Sequence, residues 1–153
     1  MLSFKTFVLA EAGDKPYDFH QVDNDEMGTR YEFSAGSTPY SATIEHMMRG
    51  KHAEVVFGTR HEDDDFGPHT SFHLTGDQGT KAAKILSTVH HIVKRHVAKH
   101  PEIHTIGFTS DTGEPSRVAL YKRYTKRMGG TSHDSGHVYD TMVHTIPADS
   151  YRT

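Results

Sequence analysis

KAAKILSTVHHIVKRHVAK (residues 81–99), followed by HTIGFT (104–109) and SRVALY (116–121), is the part of the chain that decides the fold. In the first segment Ala82, Ile85, Leu86, Val89, Ile92, Val93 and Val97 recur at three- and four-residue spacing. Lys84, Ser87, His91, Lys94 and Arg95 fall opposite them. This periodicity predicts an amphipathic helix over Lys81–Lys99, about 28 Å long. Pro101 stops it, and Ile106 and Phe108 then alternate in a short strand. A strand, a helix and a second strand imply a parallel crossover, preferentially right-handed. Asp111-Thr112-Gly113-Glu114-Pro115 reads as a helix entry, with a capping side chain and a proline inside the first turn. The second helix spans Arg117–Met128, with Val118, Leu120, Tyr121, Tyr124 and Met128 on one face, and Gly129-Gly130 ends it.

Toward the N-terminus the chain reads as strands: Leu2–Leu9, Tyr31–Ser34, and Tyr40–Met48, where Tyr40, Ala42, Ile44, His46 and Met48 share one face. Arg49-Gly50-Lys51 breaks the pattern. Ala53–Thr59 and Thr70–Thr75 then flank the acidic loop Glu62–Asp65, giving a meander of about three strands. Residues 12–30, rich in Gly, Asp, Asn and Pro, are expected to form an irregular connection. Val138–Ile146 supplies the last strand, after a loop over 130–136. The expectation is one α/β domain over 1–153, built as a mixed α+β sheet: an antiparallel meander, then β-α-β-α-β with two main helices.

Composition sets the outer bounds. The 153 residues carry a net charge of −3 and no cysteine, which excludes disulfides, a thiol nucleophile and cysteine-ligated metal. No apolar run is long enough to span a bilayer and no signal peptide is evident, so a cytoplasmic protein without a membrane partner is expected. Residues 1–76 hold 13 acidic and 6 basic side chains, whereas residues 77–153 hold 7 and 11. The C-terminal half is thereby biased toward anions.

The meander, the glycine-containing turn opening a long helix, the strand, and the helix bearing Leu120-Tyr121 resemble the GNAT family of N-acetyltransferases. More narrowly, Thr75-Gly76, Leu86-Ser87-Thr88-Val89, Ile106-Gly107-Phe108-Thr109 and Ser116–Tyr121 are similar to small GNAT-like proteins of tailed bacteriophages. The likeness covers residues 31–146. It implies that Gly76, Asp77, Gln78, Gly79, Thr80 and Lys81 form the turn that holds the pyrophosphate of acetyl-CoA on helix N-terminal amides. It also implies that Tyr121 protonates the leaving thiolate, and that an amine is the acceptor. Three positions depart from the family pattern, the first being Gly129, which stands eight residues beyond Tyr121 where the family has a glycine about four beyond. Gln78 directly precedes Gly79 instead of standing three residues before it, and Asp77 puts an anion where a diphosphate would sit. The alternative is therefore a non-catalytic virion component or host-protein-binding factor whose Gly76–Thr80 turn only caps the helix.

No motif identifies a general base; Glu54, His73 and His46 lie on predicted strands near the expected amine entry. Among 14 histidines, His96 and His100 share one helical face, but no third ligand stands at ligand spacing nearby, so no metal is expected. Lys122, Arg123, Lys126 and Arg127 form a basic face opposite Tyr121 and Tyr124, a wet side or a surface for an acidic partner. No nucleic-acid module with interleaved aromatics is present.

Overall fold

The structure is a computed structural model; it describes residues 16–59, 79–111, 115–134 and 141–152. Four strands come first: β1 (Phe19–Asp25), β2 (Gly28–Ala35), β3 (Thr38–Met47) and β4 (His52–Thr59). Helix α1 (Gly79–Lys99), strand β5 (Thr105–Asp111), helix α2 (Pro115–Arg127) and strands β6 (Thr131–Asp134) and β7 (Thr141–Pro147) follow. They form one seven-stranded sheet in the order β1-β2-β3-β4-β5-β7-β6. Every neighbouring pair is antiparallel except β4 and β5. This is the mixed α+β arrangement expected from the sequence.

The helix-bearing face of the sheet is apolar because alternate residues point the same way. Tyr31, Phe33, Tyr40, Ala42, Ile44, Ala53, Val55, Phe57, Ile106, Phe108 and Ile146 supply it, and all are buried. Ile85, Leu86, Val89, Ile92, Val93 and Val97 of α1 and Tyr121, Tyr124 and Met128 of α2 close over it. Ser87, expected on the wet side of α1, is only 2% exposed. Part of that outer surface is covered by the chain before β1: the Tyr17 N–H donates to Thr88 Oγ1 at 2.9 Å, and the Lys84 ammonium lies 4.4 Å from the centre of the Tyr17 ring.

Several boundaries differ from expectation. Residues 12–30 are not wholly irregular, since they contain β1 and the start of β2. Asp25 Oδ1 accepts from the Met27 and Gly28 N–H groups at 2.8 and 3.0 Å, closing a tight turn between the two strands. Because β1 is an edge strand, its side chains are mostly exposed and show no apolar alternation to read. Likewise β6 falls in the stretch expected to be a loop; its residues Thr-Ser-His-Asp become a strand only by pairing with Met142–Thr145 of β7. Met48 leaves the strand pattern and, with Arg49, adopts positive φ in the turn after β3. The strands expected at Leu2–Leu9 and Thr70–Thr75, the loop Glu62–Asp65 and the start of the strand expected from Val138 lie outside the described residues.

Gly130 fixes the reversal after α2. Its N–H donates to the Thr125 carbonyl at 2.8 Å, while the preceding Gly129 takes φ 77°. A Cβ at Gly130 would run into the Thr145 carbonyl oxygen and stand 2.9 Å from Thr125 Cγ2. Gly130→Ala is therefore expected to destabilise the protein by about 1–3 kcal/mol, read from the urea midpoint at constant slope. An unchanged midpoint would show that the α2–β7 packing gives way freely.

Candidate active site

The parallel pair β4–β5 is shorter than either strand. Pairing runs from His52 with Thr105 to Val55 with Phe108 and then stops, although β4 continues to Thr59 and β5 to Asp111. The sheet thus opens at the C-terminal ends of its two parallel strands, the edge where ligands of α/β sheets enter. His96, in the last turn of α1, meets His46, which is opposite Ala53 near the start of the β4–β5 pairing, so the first turn of α1 lies toward the open edge. Gly79, Thr80 and Lys81 are in the first turn of α1, so Gly79 begins the helix instead of preceding it. Gly76, Asp77 and Gln78 lie outside the described residues.

Tyr121 spans the opening on the helix-bearing face. Its ring centre is 5.8 Å from that of Phe57, beyond the paired part of β4, and 6.2 Å from that of Phe108 on β5. Behind it His144 of β7 stands edge-on at 5.6 Å, its Nδ1 bonded to Ser132 Oγ of β6 at 2.7 Å. Tyr121 is 4% exposed, so it belongs to the core as well as to the opening.

The opposite face carries a polar chain along the paired part of the seam, from its first pair, His52 with Thr105, to Glu54 opposite Gly107. His52 Nε2 is 2.6 Å from Glu54 Oε1, and His52 Nδ1 is 2.6 Å from Thr105 Oγ1. An imidazole protonated at Nε2 donates to the carboxylate and accepts from the threonine hydroxyl, which fixes both ring and carboxylate. Gly107, paired with Glu54, makes the room, because a Cβ there would run into the Glu54 carboxylate. Across β3, Glu45 is directly opposite Glu54 in register. Asp23, Asp25, Arg30, Thr43, Glu45 and Met47 border an adjoining hollow of about 400 Å³. Two carboxylates facing each other across a strand pair repel, so this surface favours cations.

Of the three base candidates, Glu54 lies in the seam one pair short of the opening, on the face away from the helices. His46 lies at the far end of β3, where its Nε2 meets His96 Nε2, and His73 is outside the described residues. Sequence reasoning missed His52 and Thr105. His52 and Glu54 alternate on one strand face, a visible signal, but Thr105 is 53 positions away. Lys122, Arg123, Lys126 and Arg127 are exposed along α2, on the side away from Tyr121 and Tyr124.

No family model matches the sequence, and a comparison with curated proteins finds no match. Among solved structures the chain is similar to a chimera of the spermidine N-acetyltransferase SpeG from Vibrio cholerae and hSSAT, with 13% identity and TM-score 0.49, covering 85% of this chain and 73% of that one. It is also similar to a putative acyl-CoA N-acyltransferase from Klebsiella pneumoniae, with 10% identity and TM-score 0.49, covering 86% and 97%. These are likenesses in the path of the chain and assign no residue. Among the described residues no helix is long and apolar enough to cross a membrane.

His144 makes the site's packing pH-dependent. Burial first, then the charges of Lys122 and His133, hold its imidazole down at about 4 from an ordinary 6.5. The unfolded chain therefore takes up this proton near pH 6.5 and the folded one only near 4. The stabilising difference is fully present above pH 6.5 and is lost as the pH falls toward 4. Guanidinium midpoints at pH 7 and pH 5 should differ more in the parent than in His144→Gln, which cannot titrate. Equal differences would remove His144 as a cause.

Proposed function

We propose that the protein transfers an acyl group, such as acetyl, from a coenzyme A thioester to a cationic amine. The observation that carries this reading is a sheet opened between its two parallel strands, with a phenol, Tyr121, on one face and a histidine-braced carboxylate, Glu54, on the other. The opening beyond the Val55–Phe108 pair suits a slender chain threading between strands. The first-turn amides of α1, at Gly79, Thr80 and Lys81, suit a diphosphate in this reading, through their N–H donors and the helix dipole. Gly76, Asp77 and Gln78 belong to the same cofactor-binding turn in this reading.

When bound, the coenzyme supplies an activated acyl carbon. The chain's own residues supply proton movements and placement. Glu54, held by His52 Nε2–H, takes a proton from the ammonium so that the nitrogen lone pair is available. Thr105, through His52 Nδ1, keeps the ring in the tautomer that faces Glu54. Tyr121 gives its phenolic proton to the departing sulfur from the opposite face. Glu45, Asp23 and Asp25 draw the cationic acceptor, and an amine seated beside Glu54 relieves the Glu45–Glu54 repulsion. The largest share of rate enhancement in this scheme comes from holding the two reactants together.

Thermal melting with acetyl-CoA should show saturable stabilisation, about 2.7 kcal/mol at one hundred times the dissociation constant. No shift at millimolar ligand would overturn the enzyme reading. Gly79→Glu should abolish the shift by adding bulk and charge to the first turn of α1. Tyr121→Phe should lower kcat by about 10²–10⁴ and leave affinity for the coenzyme largely intact, and Glu54→Gln should lower kcat/KM for the amine by a similar factor. Turnover unchanged in either variant would remove that residue's assignment.

A second reading rests on the exposed basic row of α2. Here the domain is a non-catalytic, phage-type protein that docks an acidic host or virion protein through Lys122, Arg123, Lys126 and Arg127. Reversing these four charges should then abolish capture of the partner, whereas equal capture would assign the row to solvent.

A further inference from the structure

His46 stands near the end of β3, while His96 lies in the last turn of α1 and His100 is the first residue after it. Fifty residues separate the first from the second. In the fold one ring nitrogen from each lies within 4.8 Å of the other two, and the ring centres are 4.3–4.9 Å apart. His46 Nε2 and His96 Nε2 approach to 2.7 Å. We propose that His46, His96 and His100 bind one transition-metal ion of the zinc class through three imidazole nitrogens, leaving a fourth position for water or an outside ligand.

Geometry, outer contacts and environment converge on that ion. With Zn–N bonds of about 2.0–2.1 Å, a tetrahedral site sets its nitrogens roughly 3.3 Å apart. That separation falls between the closest nitrogen pair and the outer spacing of the cluster. Two of the rings are braced from behind: His96 Nδ1 lies 3.1 Å from the Tyr31 hydroxyl, and His100 Nδ1 lies 3.2 Å from Glu102 Oε1. A proton held at each Nδ1 by these oxygens leaves the Nε2 lone pairs to face inward. This is the carboxylate–histidine arrangement that orients metal ligands and raises their basicity. His96 is 1% exposed, so its ring is anchored in the core, while the other two imidazoles are half-buried and leave a way in for an ion. The carbonyl end of α1 adds a negative dipole on the side where the cation would sit.

The site is distinct from the sheet opening. His96 follows Gly79 by 17 residues of helix, about 26 Å along the axis. An ion here would tie the end of β3 to the end of α1, and its effect on stability does not depend on acyl transfer. Three imidazoles with no cysteine favour zinc, cobalt, nickel or copper over magnesium or calcium, which take oxygen ligands. The competing arrangement is an ion-free chain of hydrogen bonds from Tyr31 through His96 to His46.

The test uses the full chain, freed of metal with a chelator and then titrated with zinc chloride. One equivalent should bind, with a rise in melting temperature that EDTA reverses. Cobalt(II) should give the intense visible bands of a four-coordinate nitrogen-rich site, and one equivalent of zinc should bleach them. His46→Ala and His100→Gln should each weaken zinc binding about a hundredfold or more, and Glu102→Gln by about 10–100-fold. His133→Ala, away from the cluster, should leave it unchanged. Cobalt bands absent from the parent chain would overturn the proposal without reliance on any variant. Zinc affinity equal to the parent's in both His46→Ala and His100→Gln would do the same, assigning binding to other histidines.

Discussion

Four residue pairs, His52–Val55 of β4 with Thr105–Phe108 of β5, join the N-terminal meander to the C-terminal part of the sheet. The rest of the structure depends on this short parallel seam. Its lower end is clamped: Lys51 O accepts from the His104 and Thr105 N–H groups at 2.7 and 3.3 Å, and the Ala148 N–H donates to His104 O at 2.8 Å. Arg152 adds a guanidinium bond to Ile103 O at 2.7 Å. Anchored at one end only, the seam keeps the core continuous across seven strands and allows the sheet to open at the other. Gly107 lies within it because the Glu54 carboxylate occupies the space that a Cβ would need.

Helix α1 serves both ends of the molecule. Its apolar residues fill the core, yet Thr88, His90 and His96 are also buried on it, and a buried polar group without a partner is costly. Each has one. Thr88 accepts from Tyr17 N–H, His96 meets Tyr31 and His46, and His90 Nδ1 meets Tyr124 Oη at 3.1 Å, which in turn lies 2.6 Å from Tyr151 Oη. Burial raises the pKa of both phenols further above the usual tyrosine value, so they stay neutral hydroxyls. The links run from α1 to α2 and to the C-terminal turn, and they impose a single register on three elements that apolar packing alone would let slide.

The acidic character of the first half of the chain acquires a location in the fold. Glu45, Glu54, Asp23 and Asp25 come from three strands, and pairing sets them on the face away from the helices. The basic residues of α2 point outward from the other layer. Charge that in sequence divides by halves therefore divides by faces, which separates a surface suited to cations from one suited to anions.

Strong periodicity made the helices legible, along with β3, β4 and β5: the 3.6-residue repeat of 81–99 and the alternation of Tyr40, Ala42 and Ile44 need no partner to be recognised. Tyr121 was also legible as a site candidate, from its place in SRVALY. Edge strands β1 and β6 were not, because exposed strands carry no apolar alternation and exist only through their neighbours. Glu54 was visible as one base candidate among three, and only the β4–β5 register set it in the seam beside the opening and put Thr105 against His52, which holds it. The histidines divided in the same way. Helical spacing put His96 and His100 on one face, but the third ring arrives from β3, fifty positions earlier, by a proximity that local spacing does not encode. The sequence by itself determined which segments fold and which faces are apolar, since these follow from local spacing and burial. Where the sheet opens, and which side chains meet across it, was decided only by the tertiary structure, because both depend on contacts between residues far apart in the chain.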